Sequence, residues 1–182
     1  EMCIRDSFNK AQIVDKEGQT RPLVAKEEKI VITGKTPADF VSRGITPMQS
    51  ASLLLILVAG ISIYGIRRGK TLWGMDLILF LVAGMAGCIL AFLALFSQHP
   101  AVSPNYILFV FHPFHLFCLP FMLSRVRKRE ISRYMLVNFA VLTLFIGLWT
   151  IIPQRIPPAV LPLALCLLIR SASNLILTYK RK

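Results

Sequence analysis

Apolar residues dominate the chain from about residue 48 onward, in five long runs separated by short polar clusters. The runs lie at about 48–66, 72–97, 106–123, 134–152 and 157–178. Crossing a hydrocarbon core takes about 20 apolar residues as a helix. In lipid a segment must satisfy its own backbone polar groups, so the runs are read as helices rather than strands. Thr46-Pro47 opens the first with a residue suited to cap a helix and a proline suited to its first turn. The third run is interrupted by Pro113 and Pro120. These prolines allow a kinked crossing or a re-entrant pair of half-helices, and the kinked crossing is the expectation. The fold class is therefore an all-α integral membrane protein, a transmembrane bundle of about five helices spanning residues 47–182.

The stretch before the bundle has a different grammar. Residues 8–46 are polar and mixed in charge. Residues 11–14 and 20–24 are strand candidates joined by the turn-like Lys16-Glu17-Gly18-Gln19, and residues 29–33 form a third. Residues 34–47 read as a linker, with Pro37, Gly44 and Pro47 as breakers. A few strands cannot bury a sizeable core alone, so this stretch is expected to be a short β-rich periplasmic remnant of a larger domain. The first seven residues, EMCIRDS, look like the translation of a sequencing adapter and are set aside from fold reasoning; the expectation is an N-terminally truncated fragment.

Composition agrees with the pattern. The chain has 182 residues, 55% hydrophobic and only 16% charged, against roughly 25% charged in soluble domains. The net charge of +12 would suggest nucleic acid if it were spread over one face. Instead the basic residues lie in short clusters between apolar runs, so no nucleic-acid partner is expected. Residues 48–182 hold 13 Lys/Arg and two Asp/Glu. Eleven of those basic residues fall in loop 67–71, loop 124–133 and the tail, and only Arg155 falls in the opposing loops. Short-loop Lys/Arg bias sets orientation. The expected arrangement puts the C-terminus in the cytoplasm and the N-terminus in the periplasm, across a bacterial inner membrane. Trp73, Tyr106, Tyr134, Trp149 and Tyr179 sit near run ends, as an interfacial aromatic belt would place them.

Ionisable residues inside the runs are the candidate chemistry, because burying charge in lipid is costly. Asp76 lies near the cytoplasmic end of the second run, and Arg170 roughly 12 Å inside that of the fifth. Either the two pair, or Arg170 snorkels and Asp76 sits among headgroups. Asn174 and Ser173 extend a polar face with Arg170, suited first to helix packing. His99, His112 and His115 lie in the outer half or middle of the bundle; His112 and His115 are three apart and share a helix face. Such a pair can bind metal, relay protons or hydrogen-bond between helices. Gly84 and Gly87, with Gly60 on the first run, let helices approach closely. Cys88, Cys118 and Cys166 read as small apolar residues. No nucleophile elbow, phosphate loop or zinc motif is present, so no catalytic residue, metal or cofactor is assigned.

Several local patterns resemble the C-terminal transmembrane domain of the Lnb-type bacterial lipoprotein N-acyltransferases. They are Arg68-Gly69-Lys70, Trp73-Gly74-x-Asp76, Gly84-x-x-Gly87-Cys88, Ser97-x-His99-Pro100, Asn105, and Pro113 through Leu119-Pro120. At His112 the chain departs from the family, which often carries Asn before this proline. The resemblance implies a periplasmic domain with a Cys/His thiol site, which moves an acyl chain from membrane phospholipid to the α-amino group of a lipoprotein's N-terminal cysteine. None of the cysteines here matches that thiol. The residues carried forward as membrane-domain candidates are Trp73, Asp76, His99, Asn105, His112, His115, Arg170 and Asn174. The competing readings are a transporter or channel subunit, which would show internal repeats, and a non-catalytic membrane anchor or interaction module.

Overall fold

The computed structural model describes residues 11–14, 18–24, 44–96 and 105–180. The strand candidate at 29–33, most of the linker, His99 and the Ser97–Pro100 pattern lie outside the described residues. The chain divides into two units, Glu1–Arg43 and Gly44–Lys182.

In the first unit, β1 (Gln12–Val14) pairs antiparallel with β2 (Thr20–Pro22), with Ile13 opposite Arg21. Leu23 N–H adds a bond to the Ala11 carbonyl at 2.8 Å. Gly18 in the connection has φ +78°, a left-handed conformation that glycine adopts without a Cβ penalty.

The second unit is helical. Helix α1 (Pro47–Arg68) starts from a capping box: Thr46 accepts from Gln49 N–H, and the Gln49 side chain accepts from Thr46 N–H at 2.9 Å. It stops at Gly69, which is left-handed. Helix α2 (Trp73–Phe96) follows. After it the chain passes a 3₁₀ turn (Tyr106–Phe109), a single helical turn α3 (Phe114–Phe117) and α4 (Leu119–Lys128). Helix α5 (Arg133–Gly147) and helix α6 (Val160–Tyr179) complete the unit.

Among the described residues, three helices, α1, α2 and α6, are long and apolar enough to cross a membrane, or up to four spans if the broken segment 106–128 counts as one. Two departures separate this from five uniform crossings. The third run bends by 78° between Phe117 and Leu119. Pro120 lies in the first turn of α4, where it offers no N–H to the preceding turn, and its ring opposes continuation of α3. The fourth run gives only 15 helical residues, roughly 22 Å against a core of about 30 Å. Beyond Gly147 the chain continues in tight turns, with Ile151 and Ile152 N–H both bonded to the Leu148 carbonyl, up to Pro153.

Two contacts define the path of the broken segment. It begins beside Gln154, whose Oε1 accepts from Tyr106 N–H at 2.8 Å. It ends beside α1, where the Arg129 guanidinium donates to the Gly69 carbonyl. The segment therefore runs from the end holding residues 152–156 to the end holding loop 67–71, despite its bend.

Helix α6 is the centre of the bundle. It packs mainly against α1 and α5, and 56% of its apolar stretch is buried, against 22% in α1 and in α2. The helical unit exposes large aliphatic and aromatic side chains and buries several polar ones alongside an apolar core. Leu53, Ile56, Val82, Ile89 and Phe96 are exposed, whereas Ser62, Asp76, Asn138, Arg170 and Ser171 are buried. Water would penalise so large an apolar exterior; hydrocarbon does not. This is a membrane protein.

Candidate functional site

Two polar clusters occupy the interior. The first is built around Arg170 on α6. Its Nε donates to Asp76 Oδ1 at 2.7 Å and its Nη2 to Asp76 Oδ2 at 3.0 Å, a bidentate pair. Nη1 donates to Ser62 Oγ at 3.0 Å. Asn174, one turn along, donates from Nδ2 to Asp76 Oδ2 at 3.0 Å. Arg170 is 1% exposed and Asp76 fully buried, so Arg170 does not snorkel. The planar guanidinium fork matches a carboxylate's two oxygens, and further donors satisfy the remaining lone pairs. The cluster ties α1, α2 and α6 together. On another face of α6, Ser171 accepts from Asn138 Nδ2 of α5 at 2.9 Å. Asn138 Oδ1, Ser173 Oγ and Asn174 Oδ1 are buried and have no partner in the structure.

The second cluster lies where the broken segment crosses α2. His115 is fully buried. Its Nε2 lies 2.9 Å from the Val110 carbonyl and its Nδ1 lies 2.6 Å from the Tyr134 hydroxyl. A carbonyl only accepts, so Nε2 carries the proton, and the neutral ring takes the Tyr134 hydrogen at Nδ1. His112 stacks on His115, ring centroids 3.9 Å apart, and its Nδ1 is buried without a partner. Phe80 meets the His115 ring edge-on. Among the described residues no group of three His, Cys, Asp or Glu could hold a metal ion.

Gly84 and Gly87 make this crossing possible. A Cβ on Gly84 would lie 2.7 Å from Leu116 N, and one on Gly87 would lie 2.5 Å from the His112 carbonyl carbon. Gly60 is different: a Cβ there meets nothing within 4 Å, so it plays no part in close approach.

The family of Lnb transmembrane domains matches residues 39–182. The chain belongs to this family. No curated protein and no solved structure matches it.

The positions that carry the resemblance to Lnb domains have visible structural roles. Asn105 Oδ1 accepts from Ile107 N–H at 3.1 Å and caps the 3₁₀ turn. Trp73 holds the Arg127 guanidinium 4.9 Å above its ring, a cation–π contact between the start of α2 and the end of α4. Asp76 is the carboxylate of the buried pair. Pro113 and Pro120 flank α3 at the break. The structure thus joins Asp76, Arg170 and Asn174 in one cluster and His112 with His115 in another; Trp73 and Asn105 stand apart at opposite ends. Three partners carried no advance signal of their role. Ser62 is one hydroxyl in an apolar helix, and Asn138 one amide. Tyr134 reads as a belt residue until His115 is seen to accept its hydroxyl.

Proposed function

We propose that this chain is the membrane domain of a lipoprotein N-acyltransferase, held in a bacterial inner membrane with its N-terminal side periplasmic and its C-terminus cytoplasmic. Membership of the Lnb transmembrane domain family, over residues 39–182, carries the reading. The paths of the helices and the charge distribution support the orientation. Loop 67–71, loop 124–133 and the tail hold 11 of the 13 basic residues after position 47, and the path of the broken segment from the Gln154 end to the Gly69 end agrees with their lying on one side.

In this reading the transfer is performed by a domain N-terminal to the bundle. A thiolate there attacks a phospholipid ester carbonyl; the thioester forms and the lysophospholipid leaves with a proton from a neighbouring imidazole. The α-amino group of the lipoprotein's N-terminal cysteine then attacks the thioester, the amide forms and the thiol is released. The bundle holds that domain at the membrane surface, where both substrates reside. Its Asp76–Arg170 cluster fixes α1, the helix that leads out to that domain, against α2 and α6.

The test is complementation. The full-length gene is expressed in a strain depleted of its own lipoprotein N-acyltransferase, and a lipoprotein N-terminus is read by mass spectrometry. An amide-linked acyl chain on the terminal cysteine is the expected result. A free α-amino group in cells that contain the full-length protein would overturn the reading.

A further inference from the structure

A groove runs along the outside of the bundle between the broken segment and α5. One section, about 700 Å³, lies between Leu108 and Phe109 on one side and Val137 and Val141 on the other, with His112 and Tyr134 in its wall and Arg133 at its rim. A second section, about 350 Å³, adjoins it at Phe109 and Val141 and continues between Phe145 and Ile152. Both fall in the range of pockets that hold small molecules, roughly 300–1,000 Å³. From Arg133 to Leu148 the groove wall extends roughly 22 Å along the helical rise, more than half a hydrocarbon core of about 30 Å. An acyl chain entering from the Arg133 end fits within that length.

The charge at that end selects the headgroup. Arg133 is exposed and is the first residue of α5, where free backbone N–H groups add partial positive charge. Residues 48–182 contain two carboxylates, Asp76 and Glu130. Asp76 is engaged with Arg170. Glu130 is paired with Arg125 at 2.5 Å. Neither lines the groove. A zwitterionic headgroup would bring an ammonium to a rim with no carboxylate to receive it, whereas a phosphate with no attached cation meets Arg133 directly. His112 and Tyr134 line the groove beside its apolar walls.

We propose that this groove is a specific site for an anionic glycerophospholipid, with its phosphate at Arg133 and a chain lying between the broken segment and α5. The occupant is a resident lipid at the basic end of the bundle, which is the cytoplasmic end in the proposed orientation. It is therefore distinct from the acyl donor of the proposed reaction, and the site holds whether or not that reaction occurs.

Trp149 packs edge-on to Phe145 at the far section and reports occupancy. The full chain carrying Trp73→Phe, which leaves Trp149 as its single tryptophan, is reconstituted in vesicles that mix unlabelled phosphatidylcholine with chain-brominated phosphatidylglycerol or phosphatidylethanolamine. Half-quenching is expected at an about fivefold lower mole fraction of the phosphatidylglycerol, the preference that one well-placed arginine supplies. Arg133→Gln should bring the two lipids level, Arg133→Lys should retain most of the difference, and Val141→Phe should reduce quenching by both. Arg67→Gln combined with Arg68→Gln, at the same end but off the groove, should leave the ratio unchanged. Equal quenching by the two lipids in the Trp73→Phe chain, or the same loss of preference in the Arg67/Arg68 variant as in Arg133→Gln, would overturn the site.

Discussion

Single residues carry the interior of this bundle. Asp76 and Arg170 are buried, so each serves as the other's partner charge. Removing one partner of such a pair strands the remaining ion and costs about 3–5 kcal/mol. Asp76→Ala and Arg170→Ala are each expected to lose stability on that scale in detergent unfolding experiments. Asp76→Leu combined with Arg170→Met should lose less than the two single changes together, because no ion is left unpaired. A simple charge swap is a poorer test, since Ser62 faces the guanidinium and Asn174 donates to the carboxylate. The glycines separate just as sharply. Gly87→Ala pushes a methyl into the backbone at His112 and should cost about 1–3 kcal/mol by overpacking. Gly60→Ala meets open space and should stabilise α1 by about 0.5–1 kcal/mol. Thermal unfolding of the two variants side by side checks both signs.

At the level of elements, the segment between α2 and α5 decides the architecture. Its prolines were readable as breakers, and the resulting geometry was not. The break itself follows from Pro120 lacking an N–H. The 78° bend follows from what the pieces pack against: α3 is pressed onto Gly84 and Gly87, and α4 is held by Arg129 to Gly69 and by Arg127 on Trp73. Arg129 ends α4 with φ 54°, a left-handed conformation rare for a side chain with a Cβ. Its guanidinium bond to Gly69 offsets that strain by joining the ends of α1 and α4. Arg129→Ala keeps the strain and loses the bond, and should lower stability by about 1–2 kcal/mol. Arg129→Gly relieves the strain as well and should fall between Ala and the native chain in the same melt.

For the helical unit as a whole, the decisive feature is inversion: an ion pair and amides are buried within the core while large aliphatic side chains face outward. That inversion, together with the two ends pinned by Tyr106–Gln154 and Arg129–Gly69, leads to a definite labelling pattern for the proposed orientation. In a background with the native cysteines replaced by alanine, Gln154→Cys should react with a membrane-impermeant maleimide added to intact spheroplasts. Glu130→Cys should react only after permeabilisation. The reverse pattern would invert the proposed topology, and reaction of both from outside would remove the crossing of α5.

Much of this organisation is written in the chain itself. Apolar runs of about twenty residues need lipid around them whatever their packing, and Thr46-Pro47 marks a helix start through local backbone chemistry alone. Lys and Arg clusters give the proposed orientation of the loops without reference to tertiary contacts. Charge cost likewise singled out Asp76 and Arg170, because an ion in hydrocarbon needs an explanation wherever it falls. Other features were decided only by tertiary structure. The sequence left open whether Arg170 pairs or snorkels, because that depends on α2 and α6 bringing residues 94 positions apart within 2.7 Å. It separated neither Gly60 from Gly87 nor Tyr134 from its neighbours in the aromatic belt. The local pattern around each is similar, and only the crossing chain gives one a steric role and the other a hydrogen-bonded histidine. Local chemistry therefore determined that the chain enters a membrane and where its helices begin. The fit of one segment against another determined which polar groups meet inside, because hydrocarbon offers them no other partner.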